Sequence, residues 1–269
     1  MSVSNNDTAI IEYLRKLAQI GTLSNNLISL AIIKHYHNVI PMLLKNGEDP
    51  ILIDQKMKSP IYYAAFDDNV EAIGYIVDYL NSKGQSLDDY AMKELFSGTN
   101  PIYPALYCGI ISHNPEFLEI ILSNTTLDPC LLYRNWKGEI NYFIDNLIYI
   151  TDIEVFEGMI RVLKNHNFNF NIRQEGKETL LATCIKAFNP LKIKIKQILI
   201  LLKIAQCDPN ALEYSIDNSP NSICIQRDKG AIKDQEILDL LENYSTTEPN
   251  TYPVLEFHPQ LLFREELGG

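Results

Sequence analysis

The sequence predicts an all-α solenoid built from stacked helix-turn-helix units, and three observations carry that prediction. Helix starts at Asn26 and Ser59 lie 33 residues apart. Each opens a run of apolar residues at helical spacing, followed by a second such run. The units close on related acid-proline turns, Glu48-Asp49-Pro50, Leu127-Asp128-Pro129 and Cys207-Asp208-Pro209-Asn210. A fixed period with matching start and stop signals marks an array in which each unit buries its apolar face only against its neighbours.

Taken in order, Asn6 or Asp7 caps a first helix whose stripe is Ile10, Ile11, Leu14, Leu17 and Ala18, stopping near Gly21. It reads as an N-terminal capping helix over residues 1–22 that shields the first apolar face. The first unit, 23–50, pairs a helix carrying Leu27, Ile28, Leu30, Ala31 and Ile32 with one carrying Val39, Ile40, Leu43 and Leu44. Gly47 supplies the left-handed residue that ends the second helix. The second unit starts at Ser59-Pro60, where Ser caps and Pro takes a first helical position whose N–H is an orphan anyway. Its buried set is Ala64, Ala65, Val70, Ile73, Ile76 and Val77, and an insertion from Asn81 carries a further helical stretch near 88–96.

A third unit restarts around Pro104-Ala105-Leu106-Tyr107 and continues through Phe117 to Leu122. The fourth opens on the hairpin Asn135-Trp136-Lys137-Gly138-Glu139 and carries Phe143, Leu147 and Ile148, but Asp145 and Asn146 stand where small apolar residues belong. Looser packing is expected there. The fifth starts at Glu178-Thr179-Leu180, with Asn189-Pro190-Leu191-Lys192 added between its helices. A last partial unit uses Ser219-Pro220 and then Ile237, Leu238, Leu240 and Leu241. From 245 to 269 the chain is polar and interrupted by Pro249, Pro253 and Pro259, which disfavours helix.

Ser59-Pro60-Ile61-Tyr62-Tyr63-Ala64-Ala65 resembles the ankyrin signature T-P-L-H-x-A, and Leu43-Leu44-Lys45-Asn46-Gly47-Glu48-Asp49 resembles the ankyrin ending L-L-x-x-G-A-D. The resemblance spans 23–244 and implies an ankyrin-type solenoid of about five to six repeats with short hairpin tips and capping units. It also implies a non-catalytic, protein-binding scaffold. By position, partners would meet the hairpin tips and the exposed side of the first helices, at Lys34, Leu30, Lys56, Lys58, Tyr63, Phe66, Asp67, Cys108, Ile111 and Ser112, with Trp136 at a further tip. Tyr62 replaces the signature His and reads as scaffold, leaving Tyr63 and Phe66 as aromatic anchors.

Composition narrows the alternatives. Acidic residues outnumber basic ones 34 to 23, a formal charge of −11, which disfavours nonspecific attraction to nucleic acid or anionic lipid unless a local basic patch overrides the total. Five cysteines without a C-x-x-C pair suit a reducing compartment. No apolar run approaches the roughly 18 residues of a membrane span, and the start has no basic leader. Cys184 with His166, or Cys108 with His113, lacks a third orienting group for thiol catalysis. His35, His37 and His113 fall at turns where ankyrin repeats carry Gly-His, with no second ligand pair at zinc-like spacing. No cofactor and no metal are expected, and Lys83-Gly84 and Lys229-Gly230 are isolated dipeptides rather than phosphate loops.

The tail Phe263-Arg264-Glu265-Glu266-Leu267-Gly268-Gly269 resembles the acidic C-terminal translocation signals of bacterial type IV secretion effectors of the Dot/Icm class. That implies an effector and virulence factor delivered to the host cytoplasm, monomeric, engaging a host protein through the concave ankyrin face. A solvated terminus with no signal, a viral host-range ankyrin protein, a structural subunit that dimerises, and an effector enzyme with its site in 123–172 or in the insertions are the competing readings.

Overall fold

A computed structural model describes residues 5–20, 24–54, 58–87, 105–125, 132–134, 140–171, 173–174, 179–209, 213–214, 220–221, 232–244 and 254–255. The chain separates into two compact units, Met1–Asn141 and Tyr142–Gly269.

In the first unit, helix α1 (Asn5–Ile20) is followed by the pairs α2 (Leu27–Ile33) with α3 (Ile40–Lys45), α4 (Pro60–Phe66) with α5 (Val70–Ser82), and α6 (Ala105–Ile111) with α7 (Pro115–Ser123). The first helices pack side by side in one row, α2 on α4 and α4 on α6. The second helices form another, α3 on α5 and α5 on α7, with α1 covering α2. This is the two-layered stack the sequence predicts. Between the rows lie Ile28, Leu30, Ile32, Ile40, Leu43, Ile61, Ile73, Ile76, Phe117 and Ile121, at most 1% exposed. A fully buried aliphatic or aromatic side chain contributes about 1.5–3 kcal/mol, so this seam dominates the unit's stability.

The starts form as their residues require. Asn26 accepts from the Ser29 N–H, Ser59 from that of Tyr62, Asn69 from that of Ala72, and Asn114 from those of Glu116 and Phe117. The stops share one geometry. Residues His35, Asp68 and His113 take positive φ after the first helices of the three pairs, and Gly47 and Gly84 after the second helices of the first two. At four of these turns the next N–H reaches back five positions: Tyr36 to the Ala31 carbonyl, Asn69 to Ala64, Glu48 to Leu43 and Gln85 to Leu80. These are Schellman closures, which satisfy carbonyls a helix end leaves orphaned. His35 and Asp68 restate the 33-residue period in backbone angles. Gly109 answers a different need: a Cβ there would stand 3.0 Å from Leu118 Cδ1, at the close approach of α6 to α7.

In the second unit the first helix of its leading pair is replaced by a 3₁₀ segment, Phe143–Tyr149, where the sequence leads to an α-helix. Asp145 and Asn146, at positions where alanine would allow close packing, account for the difference: both are half-buried and favour local hydrogen bonds over helix interior. Helix α8 (Ile153–Asn165) follows, then α9 (Leu180–Lys186), α10 (Leu191–Lys203) and α11 (Gln235–Tyr244). Helix α10 packs on α8 and α9, and α9 on the 3₁₀ segment. Asn167 and Gln206 repeat the left-handed closure after α8 and α10.

The described strands are two or three residues long. Strands β1 (Leu132–Arg134) and β2 (Ile140–Tyr142) flank the stretch read as a hairpin. Strand β3 (Arg173–Gln174) pairs in parallel with β6 (Val254–Leu255), and β4 (Glu213–Tyr214) pairs antiparallel with β5 (Pro220–Asn221). Part of the tail beyond α11 is therefore engaged with the turn after α8. The helical stretch expected near 88–96 and the tail motif 263–269 lie outside the described residues.

Candidate protein-contact face

Helix α4 carries the richest exposed chemistry of the first unit. Capped by Ser59 and started by Pro60, it turns Ile61, Ala64 and Ala65 into the core, which leaves Tyr62, Tyr63 and Phe66 outward. Phe66 is 77% exposed. Its ring stacks on Tyr62 one helical turn earlier, with centroids 6.4 Å apart and planes 10° from parallel, and Lys58 Nζ lies 4.4 Å from the Tyr62 centroid. A cation and two rings are thus held in a row before any partner arrives.

Tyr63 sits differently from Phe66. It is half-buried and donates its hydroxyl to Asp54 Oδ2 at 2.7 Å, while Asp54 Oδ1 accepts from the Lys58 N–H and the Asp54 N–H returns a bond to the Lys58 carbonyl. The carboxylate closes the hairpin before α4 and braces the tyrosine. Burial, then the hydrogen bond and negative charge of Asp54, hold the Tyr63 phenol well above its ordinary range. The sequence divides the tyrosines into scaffold Tyr62 and contact Tyr63. The contacts give Tyr62 the cation and the exposed ring neighbour, and give Tyr63 the tie to the hairpin.

The other expected contact residues scatter. Lys34 is half-buried and caps α2, and Ile111 is half-buried at the end of α6. Ser112 is 8% exposed and turned inward, its hydroxyl donating to the Gly109 carbonyl and accepting from the Asn114 N–H. Leu30 and Cys108 are fully buried, which corrects their expected exposure: both face the seam between the helix rows. Lys56 and Trp136 lie outside the described residues. Lys58, Tyr62 and Phe66 are therefore the described residues that make up the candidate face, and their spacing of four is the signal in the sequence.

At the opposite turns, polar side chains bridge consecutive pairs. His35 Nδ1 lies 3.2 Å from Asp67 Oδ2, and Asn114 Nδ2 donates to Asp68 Oδ1 at 2.7 Å. His35, His37 and Asp67 bring one ligand atom each within 4.8 Å of one another, a set that could hold a metal ion. However, the capping role of Asn69 commits its Oδ1 to the Ala72 N–H and aims Nδ2 at the His37 ring, 2.6 Å from Nδ1. The lone pair a metal needs is then taken by an amide donor. Asp67 belongs to this bridge rather than to the α4 face.

Among the described thiols, Cys184 and Cys207 are held in the poorly nucleophilic, protonated form. Burial pushes the Cys184 thiol up to about 12, and Cys207 is also raised by burial. Cys184 donates weakly to Gln197 Oε1 at 3.9 Å. Within 123–172, the described residues contribute to a shallow depression of about 320 Å³ lined by Lys164, Asn167 to Asn171, Ala205 and Gln206. Lys164 donates there to Gln206 Oε1, and no acid–base pair faces the space among the described lining residues.

Helix pairs in two rows, Schellman closures at a 33-residue period and short hairpins define an all-α solenoid of ankyrin type. No known family profile matches the chain, and no curated protein matches it. Among solved structures it is similar to the ankyrin repeat domain of Bcl-3, described as a unique member of the IkappaB protein family. That alignment has 12% identity and a TM-score of 0.39, and covers 80% of this chain and 97% of that one. The architecture accordingly rests on the helix pairs themselves. Among the described residues no helix is long and apolar enough to cross a membrane.

Proposed function

We propose that the chain is a non-catalytic protein-binding scaffold whose partner docks on α4, with Phe66 as anchor and Tyr62 and Lys58 as its prearranged surround. The observation that carries this reading is the Phe66 ring, 77% exposed yet already stacked in a row with Tyr62 and Lys58. An aromatic anchor with its rotamer set beforehand loses little entropy on binding. Affinity capture from host-cell lysate with the intact chain and Phe66→Ala tests it. Loss of a specific band at unchanged helicity is expected, and equal capture would exclude this face.

The proposed setting is the host cytosol, reached through a bacterial type IV system. Its support is the resemblance of the acidic stretch Phe263-Arg264-Glu265-Glu266-Leu267-Gly268-Gly269 to the translocation signals of such effectors. A translocation reporter fused to the intact chain and to one lacking 263–269 decides it: delivery that depends on the tail is expected, and equal delivery would remove the tail from the account.

A further inference from the structure

Charge is unevenly spread along this acidic chain. Residues 179–207 contain five lysines and no Asp, Glu or Arg, against a total of −11. Four of the five, Lys186, Lys192, Lys194 and Lys196, fall within eleven residues around the turn from α9 into α10. Helix α10 opens on Pro190 without a side-chain cap and has no acid in its first turn. Lysines there oppose the helix dipole, which favours anions at an N-terminus. Folding alone gives no reason for that placement.

The same turn leads with apolar side chains. Phe188 is 107% exposed, as open as an isolated residue, and Leu191 is 43% exposed. Tyr149, 68% exposed, stands on the adjoining turn. The two turns are pinned together: Asn189 Nδ2 donates to the Ile148 carbonyl at 2.6 Å and to Gln197 Oε1 at 2.9 Å, and Gln197 Nε2 donates to the Ile150 carbonyl at 2.8 Å. Three apolar side chains thus share one edge, with exposed Lys186, Lys192 and Lys196 on the α9–α10 turn. Asp152 and Glu154, exposed at the start of α8, are the acids on the neighbouring turn and mark its boundary.

We propose that this edge of the second unit docks on an anionic phospholipid surface, with Phe188 and Leu191 entering the headgroup–acyl boundary and Lys186, Lys192 and Lys196 meeting lipid phosphates. Apolar groups at an apex with ammonium groups on flexible stems behind them match the order of depth in a membrane interface. A juxtaposed lysine gains from the negative surface potential within a Debye length, so the local stretch acts where the chain's total charge does not. Nucleic acid would favour guanidinium forks and cations leading, and residues 179–207 hold no Arg. This surface is separate from α4 and does not depend on the protein-binding reading.

Co-sedimentation of the full chain with phosphatidylserine–phosphatidylcholine vesicles, beside pure phosphatidylcholine, provides the test. Binding to the anionic vesicles alone, weakened by salt, is expected. Phe188→Ala should lower partitioning by on the order of tenfold, and Lys192→Glu with Lys196→Glu by at least roughly tenfold. Because Phe188 makes no core contact, its variant should keep the parent's helicity. In a Trp136→Phe background, Phe188→Trp should give blue-shifted emission only with anionic vesicles. No binding to anionic vesicles overturns the proposal, and so does equal binding by Phe188→Ala, which would leave only diffuse charge attraction. Binding to heparin or RNA with none to vesicles overturns it in favour of a polyanion.

Discussion

The two units meet the same packing problem with different polar devices. In the first, regular helix pairs leave few orphan groups, so capping side chains can link one pair to the next. Asn26 accepts from Ser29 and also donates to the carbonyls of Asp49 and Leu52, and Asn81 bonds Asn124. In the second, the 3₁₀ segment Phe143–Tyr149 stops short and its carbonyls at Ile148 and Ile150 need donors. Gln197, 0% exposed on α10, donates to both and shares Ile148 with Asn189, and Asn171 ties the turn after α8 to that after α10 through the Gln206 carbonyl and the Asp208 N–H. The lesson is local. Where a helix is lost, the buried amide of Gln197, joined to Asn189, replaces hydrogen bonds it would have made, and stability becomes concentrated in a small side-chain cluster centred on Gln197.

That concentration is the easiest part to break. Replacing Gln197 by Leu keeps the volume but takes the donor from the buried Ile150 carbonyl and an acceptor from Asn189, leaving Ile148 to Asn189 alone, for an expected loss of about 3 kcal/mol. Urea denaturation should show the second unit melting first, with early exchange of the α9 and α10 amides. A loss under about 1 kcal/mol would mean water substitutes for the amide. In the first unit the largest single effect should come from Asn26→Ala, about 2 kcal/mol, since a cap and two bridges vanish together. Thr179→Ala, which removes a cap to Ala182 in the second unit, should cost about 1 kcal/mol. If both cost the same, the bridges to Asp49 and Leu52 contribute nothing.

A pH dependence sharpens the role of Tyr63. Its folded phenol is raised above the ordinary value of 10.0, so above that pH the unfolded chain releases this proton first. The associated stability is complete below about pH 10 and is lost as pH rises further. Denaturation midpoints of the parent and Tyr63→Phe should therefore converge with rising pH above about 10, after accounting for other tyrosines by difference. A gap that stays constant would detach Tyr63 from Asp54. The smallest stability effect belongs to Phe66→Ala, within about 0.5 kcal/mol, because the exposed ring leaves no cavity.

Much of the fold was legible because its signals are local. Asn26 and Ser59 announce caps, Gly47 announces a left-handed closure, and the apolar spacing names most of the seam. The closures at His35, Asp68 and His113 were less legible, since non-glycine residues at positive φ carry little sequence signal. The 3₁₀ segment was foreshadowed only by Asp145 and Asn146, and Gln197 looks like an ordinary polar residue until the carbonyls it serves are placed. For the proposed contact face, sequence pointed to the helix that carries exposed Phe66 but could not divide its tyrosines, because the partner of Tyr63 is Asp54, nine residues earlier. The acid-free run 179–207 was visible in the letters, but its meaning depends on Phe188 being uncovered.

The most direct test of the protein-binding account is an equilibrium affinity for a captured partner, measured for the parent, Phe66→Ala and Tyr63→Phe in parallel. The account predicts a loss of at least roughly tenfold for Phe66→Ala and near-parent affinity for Tyr63→Phe at neutral pH. Parent affinity in Phe66→Ala, or a greater loss in Tyr63→Phe, would contradict it.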